Sequence, residues 1–209
     1  MNTLTAPKAP TESIDWHLYC RNTRNKPPSD LARSSLALSK RTRPCPHVLE
    51  LGPGSCADAR FFLENGADTV TAVDASTAVR PYASALANEF LGRFMLQPVL
   101  FRDFGFDDGP YDLIFAQHSL QYHGTEGFDS LVGRIIGSLA PGGVFAATFI
   151  GTDHFVKKFW SDLAFSSRVD VERRLASLRI VDVREQREMK YAHECQGLVN
   201  HFIVMATRP

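Results

Sequence analysis

The hydrophobic pattern of the chain alternates between short apolar runs and longer stretches with helical spacing. Five apolar runs predict strands, and they lie at residues 48–51, 69–73, 99–102, 111–116 and 144–150. Helical spacing precedes the first run and separates most of the others, at residues 14–23, 29–39, 57–65, 81–91 and 128–139. Because strands and helices alternate in this way, the sequence predicts a doubly wound α/β sheet whose strands are mostly parallel.

The C-terminal part departs from this alternation. Residues 169–178 predict one more helix, and two further strands follow at residues 180–188 and 198–207. No helix fits between these two strands, so the sheet is expected to have an antiparallel end. The complete prediction is a seven-stranded sheet with an antiparallel last strand, in which the Pro-Gly-Gly sequence at 141–143 forms a turn before the fifth strand.

Composition limits the partners of such a fold. The chain has 209 residues, 44% of them hydrophobic, and its 23 basic and 23 acidic side chains give a formal net charge of zero. A neutral chain provides no support for a nucleic-acid face or for attraction to an anionic membrane. No apolar run reaches the length of a membrane span. Residues 1–13 predict a flexible tail and lack the apolar core of a signal peptide, so a cytoplasmic protein is expected.

The cysteines do not point to a metal site. They show neither Cys-x-x-Cys pairing nor zinc spacing, and they stand at Cys20, Cys45, Cys56 and Cys195. We therefore expect reduced thiols and no bound metal.

The most informative segment is the glycine turn after the first predicted strand. Residues 48–54 read Val-Leu-Glu-Leu-Gly-Pro-Gly, and Asp74 ends the second predicted strand. Gly52 and Gly54 would let the backbone approach a ligand where a Cβ would collide. The helix that follows offers unpaired N–H groups and the positive end of its dipole. This unit places a nucleoside-containing cofactor over the carboxyl end of a parallel sheet.

The glycines alone leave the cofactor open. Gly52, Gly54 and Ala57 satisfy a dinucleotide-binding pattern, Gly-x-Gly-x-x-Ala. Glu50 and the same two glycines also satisfy the acid-x-Gly-x-Gly pattern of S-adenosylmethionine-dependent methyltransferases, although Cys56 stands where that pattern has its third glycine. An ordinary tight turn between a buried strand and its helix is the third interpretation, and the position of Asp74 makes it the weakest.

Four segments, in order, resemble class I S-adenosylmethionine-dependent methyltransferases, and the resemblance covers nearly the whole chain. They are residues 48–54, 70–74 (Val-Thr-Ala-Val-Asp), 111–116 (Tyr-Asp-Leu-Ile-Phe-Ala) and 139–143 (Leu-Ala-Pro-Gly-Gly). The resemblance implies the Rossmann-like methyltransferase fold, S-adenosyl-L-methionine as cofactor, and in-line methyl transfer to a small molecule. The acceptor atom could be sulfur, selenium or tellurium, oxygen or nitrogen.

A finer resemblance connects the chain with tellurite-resistance-type small-molecule methyltransferases. It rests on scattered positions in the N-terminal segment and after the fifth predicted strand, namely Asp15-Trp16, Tyr19, Thr23, Pro27-Pro28, residues 149–151, Asp153 and Trp160. The stretch after Gly151 does not repeat the usual sequence of that group, which leaves the acceptor undetermined.

The resemblance also implies roles for residues near the strand ends. Glu50 would face the amino group of the methionine part, and Asp74 would accept both ribose hydroxyls. Asp103 would lie near the adenine amino group, and Phe104 would cover the adenine ring. The other expected cofactor-binding residues are Gly52, Gly54, Ala75, Ser76, Gln117, Tyr19 and Arg24.

The region before the first strand is expected to be a separate helical lid. Residues 14–46 would form this lid over a cofactor-binding methyltransferase domain at 47–209, with Arg24 or Arg21 pairing with the methionine carboxylate. His118 and His123 follow the fourth strand, where a histidine could orient an acceptor or remove its proton. These two are the candidate catalytic residues.

Several functions remain open at this point. A nicotinamide-dependent oxidoreductase is disfavoured because the chain shows no recognisable catalytic Tyr-x-x-x-Lys pair and no second substrate domain. A non-catalytic S-adenosylmethionine-binding module stays open because no catalytic residue is unmistakable. A methyltransferase acting on RNA is disfavoured by the neutral charge. The sequence does not determine the oligomeric state.

Overall fold

The computed structural model of the protein describes residues 14–192 and 195–209, and it describes side chains at all of these positions except 191, 192, 195 and 196. The predicted tail, residues 1–13, lies outside the described residues. The strands are β1 (His47–Leu51), β2 (Thr69–Val73), β3 (Phe94–Gln97), β4 (Tyr111–Ala116), β5 (Leu139–Ile150), β6 (Arg179–Ala192) and β7 (Cys195–Thr207).

The strands form one seven-stranded sheet in the order β3-β2-β1-β4-β5-β7-β6. Strands β1 to β5 pair in parallel, whereas β7 is antiparallel to both β5 and β6. The predicted α/β fold, a doubly wound and mostly parallel sheet with an antiparallel last strand, is confirmed. The strand order reverses between β1 and β4, and a ligand crevice forms outside the carboxyl ends of strands at such a point.

Helices cover both faces of the sheet. They are α1 (Trp16–Thr23), α2 (Asp30–Ser39), α3 (Ala57–Glu64), α4 (Arg80–Glu89), α5 (Phe128–Gly137) and α6 (Arg168–Arg174). Short 3-10 turns connect them at Thr77–Val79, Phe101–Asp103, Leu120–His123 and Phe155–Lys158. All six residues of β4 are buried, as the sequence predicts for a central strand.

The two layers have separate cores. Ile114 of β4 faces one core with Leu131 and Ile135 of α5. Phe115 faces the other, where its ring meets that of Phe62 from α3 at 5.2 Å between centroids. Burying a side chain of this size contributes about 1.5–3 kcal/mol, so alternate residues of one strand hold helices on opposite sides of the sheet.

The third strand does not lie where the sequence predicted it. The prediction of a strand at residues 99–102 is wrong, because Phe94–Gln97 pairs with β2 instead and residues 101–103 form a 3-10 turn. Pro98 follows the strand directly and has no N–H to continue the ladder. The apolar residues Val99 and Phe101 pack against the core without pairing to the sheet. Apolar composition at an edge strand therefore misled the prediction by several residues.

The predicted turn at residues 141–143 lies inside β5 instead. Tyr111 pairs with Leu139 and Leu113 with Val144, so β5 carries extra residues in an irregular bulge. Gly142 has a φ of 75° there, a backbone conformation that favours glycine. Helix α6 is also shorter than the predicted 169–178, since it ends at Arg174.

Candidate functional site

A cavity of about 770 Å³ opens at the carboxyl ends of β1, β2 and β4, at the reversal of strand order. Its floor is the glycine turn after β1. One side is formed by the ends of β2 and the 3-10 turn at 101–103, and the opposite side by the loop after β4 and the turn at 120–123. Helix α1 and the segment after it form the cover.

The glycine turn is held against the loop after β4. Gly52 has a φ of 78°, and a Cβ at this position would lie 2.4 Å from the Cβ of Ser119. The Ser119 hydroxyl donates to the Leu51 carbonyl at 2.5 Å. Gly54, with a φ of 54°, lies under the ring of Tyr19, whose Cε1 would be 3.4 Å from an added Cβ. Gly52 is therefore required by packing within the protein, in addition to any contact with a ligand.

Carboxyl groups line the cavity beside this turn. Glu50 is only 3% exposed, and its Oε2 has no hydrogen-bond partner among the described residues. Burial raises its pKa well above the ordinary value, and the negative charges of Asp58 and Asp74 raise it further. The pKa of Asp74 is raised to about 6 by burial, although its Oδ1 accepts the Ser76 N–H at 2.8 Å.

We call this part of the cavity, lined by Glu50, Gly52, Gly54, Asp58 and Asp74, the cofactor end. Burial raises the pKa of Glu50, Asp58 and Asp74, and the charges of the two aspartates raise that of Glu50 further, because negative charge there is poorly compensated. A positively charged ligand group would relieve that cost, whereas an anionic group would add to it. The cofactor end is thus built to receive a cation.

Helix α1 lies over the cavity. Asp15 caps it by accepting the Leu18 N–H at 2.9 Å. The Trp16 ring meets Tyr122 edge-on at 5.0 Å between centroids, and Thr23 donates to the Ser55 hydroxyl at 3.2 Å. The helix therefore contacts the wall after β4 at one end and the glycine turn at the other.

The opposite part of the cavity carries imidazole and aromatic groups. We call it the acceptor end, lined by Trp16, His118, Tyr122 and His123. The His118 N–H donates to the Thr148 hydroxyl at 2.6 Å, and the residue has a φ of 53°. The pKa of His118 is lowered by burial first, then by the positive charges of Lys190 and Lys26.

Most of the predicted site residues meet at this cavity. The predicted residues that line it are Tyr19, Glu50, Gly52, Gly54, Asp74, Ala75, Ser76, Gln117, His118 and His123. The side-chain Oε1 of Gln117 is buried and has no partner among the described residues. These positions agree with the site that the sequence predicts, while their individual roles remain proposals.

Three predicted cofactor residues lie elsewhere. Phe104 is buried in the core against Phe106, with ring centroids 4.8 Å apart, and Asp103 is exposed beside Arg102. Both expectations followed from the misplaced third strand. Phe101 takes the position at the cavity wall that was expected for Phe104.

Arg24 is exposed at the end of α1 and does not line the cavity, and neither does Arg21. Lys26 is the cationic residue that the lid segment brings to the cavity, and the sequence analysis missed it. The helix ends before Arg24, so helical spacing could not place the residues that follow it. Pro27 and Pro28 break the helical pattern directly after Lys26. This break is the signal that could have shown that Lys26 lies beyond the helix.

Comparisons with known proteins agree with this geometry. Residues 48–143 match the family described as "Methyltransferase domain". A trans-aconitate 2-methyltransferase from Delftia acidovorans (strain DSM 14801 / SPH-1) is 34% identical over 140 residues, which cover 64% of this chain and 48% of that protein. The chain thus spans about half the length of this curated relative.

Solved structures share the fold. The N-methyltransferase NodS from Bradyrhizobium japonicum WM9, solved with S-adenosyl-L-homocysteine, superposes with a TM-score of 0.68 at 14% identity, over 94% of this chain and all of that chain (100%). TehB from Haemophilus influenzae gives a TM-score of 0.70 at 11% identity, over 84% of this chain and 62% of its own. At such identities the likeness concerns the fold alone.

The chain therefore has the fold of class I S-adenosylmethionine-dependent methyltransferases, and the expected fold is confirmed. Residues 48–143, which contain the glycine turn and nearly all of β1 to β4, are the part that matches the methyltransferase domain model. None of the helices in the described parts of the chain is long and apolar enough to cross a membrane.

Proposed function

We propose that the chain binds S-adenosyl-L-methionine at the cofactor end and transfers its methyl group to a small molecule at the acceptor end. The observation that carries this proposal is the buried Glu50 carboxyl, with an unpartnered Oε2, beside two further acids and the glycine turn. An ammonium group provides the hydrogen-bond donors and the positive charge that this site lacks.

Individual residues follow from their positions. Glu50 would accept from the methionine ammonium, and Asp74 would accept from the two ribose hydroxyls. Phe101, rather than Phe104, would lie against the adenine ring. Gln117 would contribute its buried Oε1, and Tyr19 would cover the ligand from the lid side.

The chain's contribution to the reaction is positioning. S-adenosylmethionine supplies an electrophilic methyl group on a sulfonium. The cavity walls would align the acceptor with that methyl group, and α1 would exclude water while both are bound. His118 and His123 lie where they could orient the acceptor or remove its proton.

The two alternative functions fit the site less well. The diphosphate of a nicotinamide dinucleotide would place negative charge beside Glu50 and Asp58, whose pKa values are already raised. A non-catalytic binding module needs no acceptor end, yet the cavity continues past the cofactor end to His118, Tyr122 and His123.

A transfer assay tests the proposal. The chain is incubated with S-adenosylmethionine labelled in its methyl group and with a panel of small acceptors that includes trans-aconitate, thiols, amines and selenite. We expect label to move to at least one acceptor class, and Gly54→Val to abolish transfer because its side chain would enter the cofactor end. Ligand binding without transfer to any acceptor in the panel would favour the non-catalytic module.

A further inference from the structure

The outermost strand of the sheet, β6, has one edge that faces away from the other strands. It stands last in the strand order, and β7 is its neighbour among the described strands. Its pairing with β7 is shifted between Ile180 and Asp182 and is regular from Asp182 onward. Residues 184–190 are all exposed. No other strand of the described chain covers this edge, so its outward backbone N–H and C=O groups form a row to which one more strand can bind.

The side chains along this edge carry both signs of charge. Residues 182–190 read Asp-Val-Arg-Glu-Gln-Arg-Glu-Met-Lys, with three acidic and three basic side chains. Side chains two positions apart lie on the same face of a strand. Three ion pairs form at this spacing, namely Arg184 Nε with Asp182 at 2.8 Å, Arg187 with Glu185 at 3.0 Å and Lys190 with Glu188 at 3.0 Å. An edge of one sign would repel a copy of itself, whereas this edge has no net charge to do so.

The order of these charges reverses in sign about Gln186. Counted outward towards the N-terminus, the residues are acidic, basic, apolar and acidic, from Glu185 to Asp182. Counted outward towards the C-terminus, they are basic, acidic, apolar and basic, from Arg187 to Lys190. An antiparallel copy of the strand, with its own Gln186 opposite this one, therefore presents the opposite charge at every charged position.

Each side chain beside Gln186 meets a complementary one in this register. Directly opposite residues of antiparallel strands share a face, with Cβ atoms about 4.5–5.5 Å apart. A two-fold axis through Gln186 makes each pair form twice. Met189, which is 57% exposed in the single chain, gains an apolar neighbour. The pairs are Asp182 with Lys190, Arg184 with Glu188, Glu185 with Arg187 and Val183 with Met189.

Neighbouring registers lack this match. A two-fold axis perpendicular to the sheet keeps each face on its own side, so the axis passes through a residue and not between two. An axis through Glu185 sets that carboxylate opposite itself and Asp182 opposite Glu188. An axis through Arg187 sets that guanidinium opposite itself. Like charges directly opposite each other destabilise a strand pair, so the sequence of β6 favours the register centred on Gln186.

We propose that two copies of this chain associate through β6, as antiparallel edge strands centred on Gln186, into one continuous sheet. Backbone hydrogen bonds, about eight to ten over a segment of this length, hold the two edges together. The charged pairs fix the partner and the register. Charged side chains commonly prevent uncontrolled pairing of an edge strand. Here the same charges reject a foreign strand and accept the matching edge of a second copy.

Sedimentation of the full chain tests the association. We expect a reversible equilibrium between monomer and dimer at micromolar concentrations, because the interface is small and exposed. The dimer should weaken several-fold or more as the salt concentration rises, since exposed charge pairs are screened. A chain that stays monomeric up to high micromolar concentrations at low salt overturns the proposal.

Two charge reversals test the register. Arg184 and Glu188 are chosen because their ion pairs in the single chain lie within β6 itself. Arg184→Glu places a carboxylate opposite Glu188 in both copies, and Glu188→Arg places a guanidinium opposite Arg184 in both copies. Each variant alone should dimerise at least about tenfold more weakly than the parent. Arg41→Glu, at an exposed position after α2, is the matched control and should dimerise like the parent.

Mixing the two variants is the sharpest arm of the experiment. An equimolar mixture of Arg184→Glu and Glu188→Arg should form a heterodimer about as tight as the parent dimer, because each introduced charge then faces an opposite one. The double variant, with both reversals in one chain, should dimerise with itself for the same reason. Single variants that dimerise like the parent overturn the proposal, and so does a mixture that stays monomeric.

Hydrogen exchange on the unaltered chain provides a readout that does not depend on any variant. Outward amides in residues 182–190 should gain protection as the concentration is raised through the dimer transition, because the partner strand takes them into hydrogen bonds. Amides of α2 are the internal control and should not change. Unchanged exchange throughout β6 in a dimeric sample overturns the proposal, since the dimer would then use another surface.

Discussion

At the scale of single residues, the cofactor end is defined by carboxyl groups that lack a charged partner. Glu50 is buried beside the glycine turn, and Asp74 directly follows β2 and accepts the Ser76 N–H. Burial makes the charged form of both groups costly, and a cationic, hydroxyl-bearing ligand would offset that cost. The proposed binding therefore uses an arrangement that is unfavourable by itself.

Glu50→Gln tests this directly. The amide keeps the shape of the side chain and removes its charge, so adenosylhomocysteine should bind about 1.5–3 kcal/mol more weakly. Stability of the empty protein should be equal or higher, because a buried carboxyl without a partner is lost. Titration calorimetry and urea unfolding measure the two effects. Glu64→Gln, at an exposed residue of α3, is the control and should change neither.

Asp74 gives the site a pH dependence. Its pKa of about 6 in the empty site exceeds the ordinary 3.8, so the folded chain holds this proton more tightly than the unfolded chain. The Asp74 contribution to stability therefore declines as pH rises from about 4 to 6. Affinity for adenosylhomocysteine should move the other way, falling by up to about tenfold per pH unit below 6 as the acceptor carboxylate is lost.

Titrations at several pH values across this range check the effect. Asp74→Asn should bind more weakly at every pH and retain only the pH dependence that Glu50 contributes. A wild-type affinity that stays constant from about pH 7.5 to about pH 5 would show that Asp74 does not contact the ligand.

The positions of site residues could be predicted from the sequence wherever a motif tied them to the end of a strand. Glu50 lies in β1, and Gly52 and Asp74 directly follow β1 and β2, whose bounds were predicted to within one residue. Phe104 and Asp103 were misplaced because their strand was, and the apolar residues near Phe101 carried no signal to distinguish a paired strand from a packed loop. An apolar sequence pattern indicates that a segment is buried, and a buried segment need not pair with a neighbouring strand.

At the scale of elements, helix α1 is the one that connects both ends of the cavity. It contacts Tyr122 through Trp16 and the glycine turn through Tyr19 and Thr23. It also packs on the core of the domain through Cys20, and α2 packs there through Leu31. The lid role is therefore proposed for α1 alone, and a separate unit that ends at residue 46 stays a prediction.

Hydrogen exchange tests the lid. Amides of α1 should gain protection when adenosylhomocysteine is added, because the ligand would contact Tyr19 and hold the helix closed. Amides of α6, which is remote from the cavity, should not change and provide the internal control. Unchanged protection in α1 would contradict a lid role.

Deletion of residues 1–28 gives a second test of the same element. The deletion retains Ser29, so the cap of α2 survives, and the sheet domain should still fold. Cofactor affinity per folded molecule should fall and methyl transfer should be lost. A helix that merely stabilises the domain would lower the midpoint of urea unfolding and leave that affinity unchanged.

At the scale of the whole molecule, the fold was the most predictable feature. The sequence shows the alternation of strands and helices. It also shows that no helix fits between β6 and β7, which are therefore antiparallel. The presence of Lys26 and His118 in one cavity could not be predicted, because the two residues come from distant parts of the chain and only the fold brings them together.

The most direct test of the central claim is a melting experiment with competing cofactors. A ligand present at a hundredfold excess over its dissociation constant stabilises the native state by about 2.7 kcal/mol, which corresponds to roughly 5–10 °C for a domain of this size. We expect adenosylhomocysteine to raise the melting temperature by this amount and NAD and NADP to leave it unchanged. A shift with NAD or NADP and none with adenosylhomocysteine would contradict the assignment of the cavity.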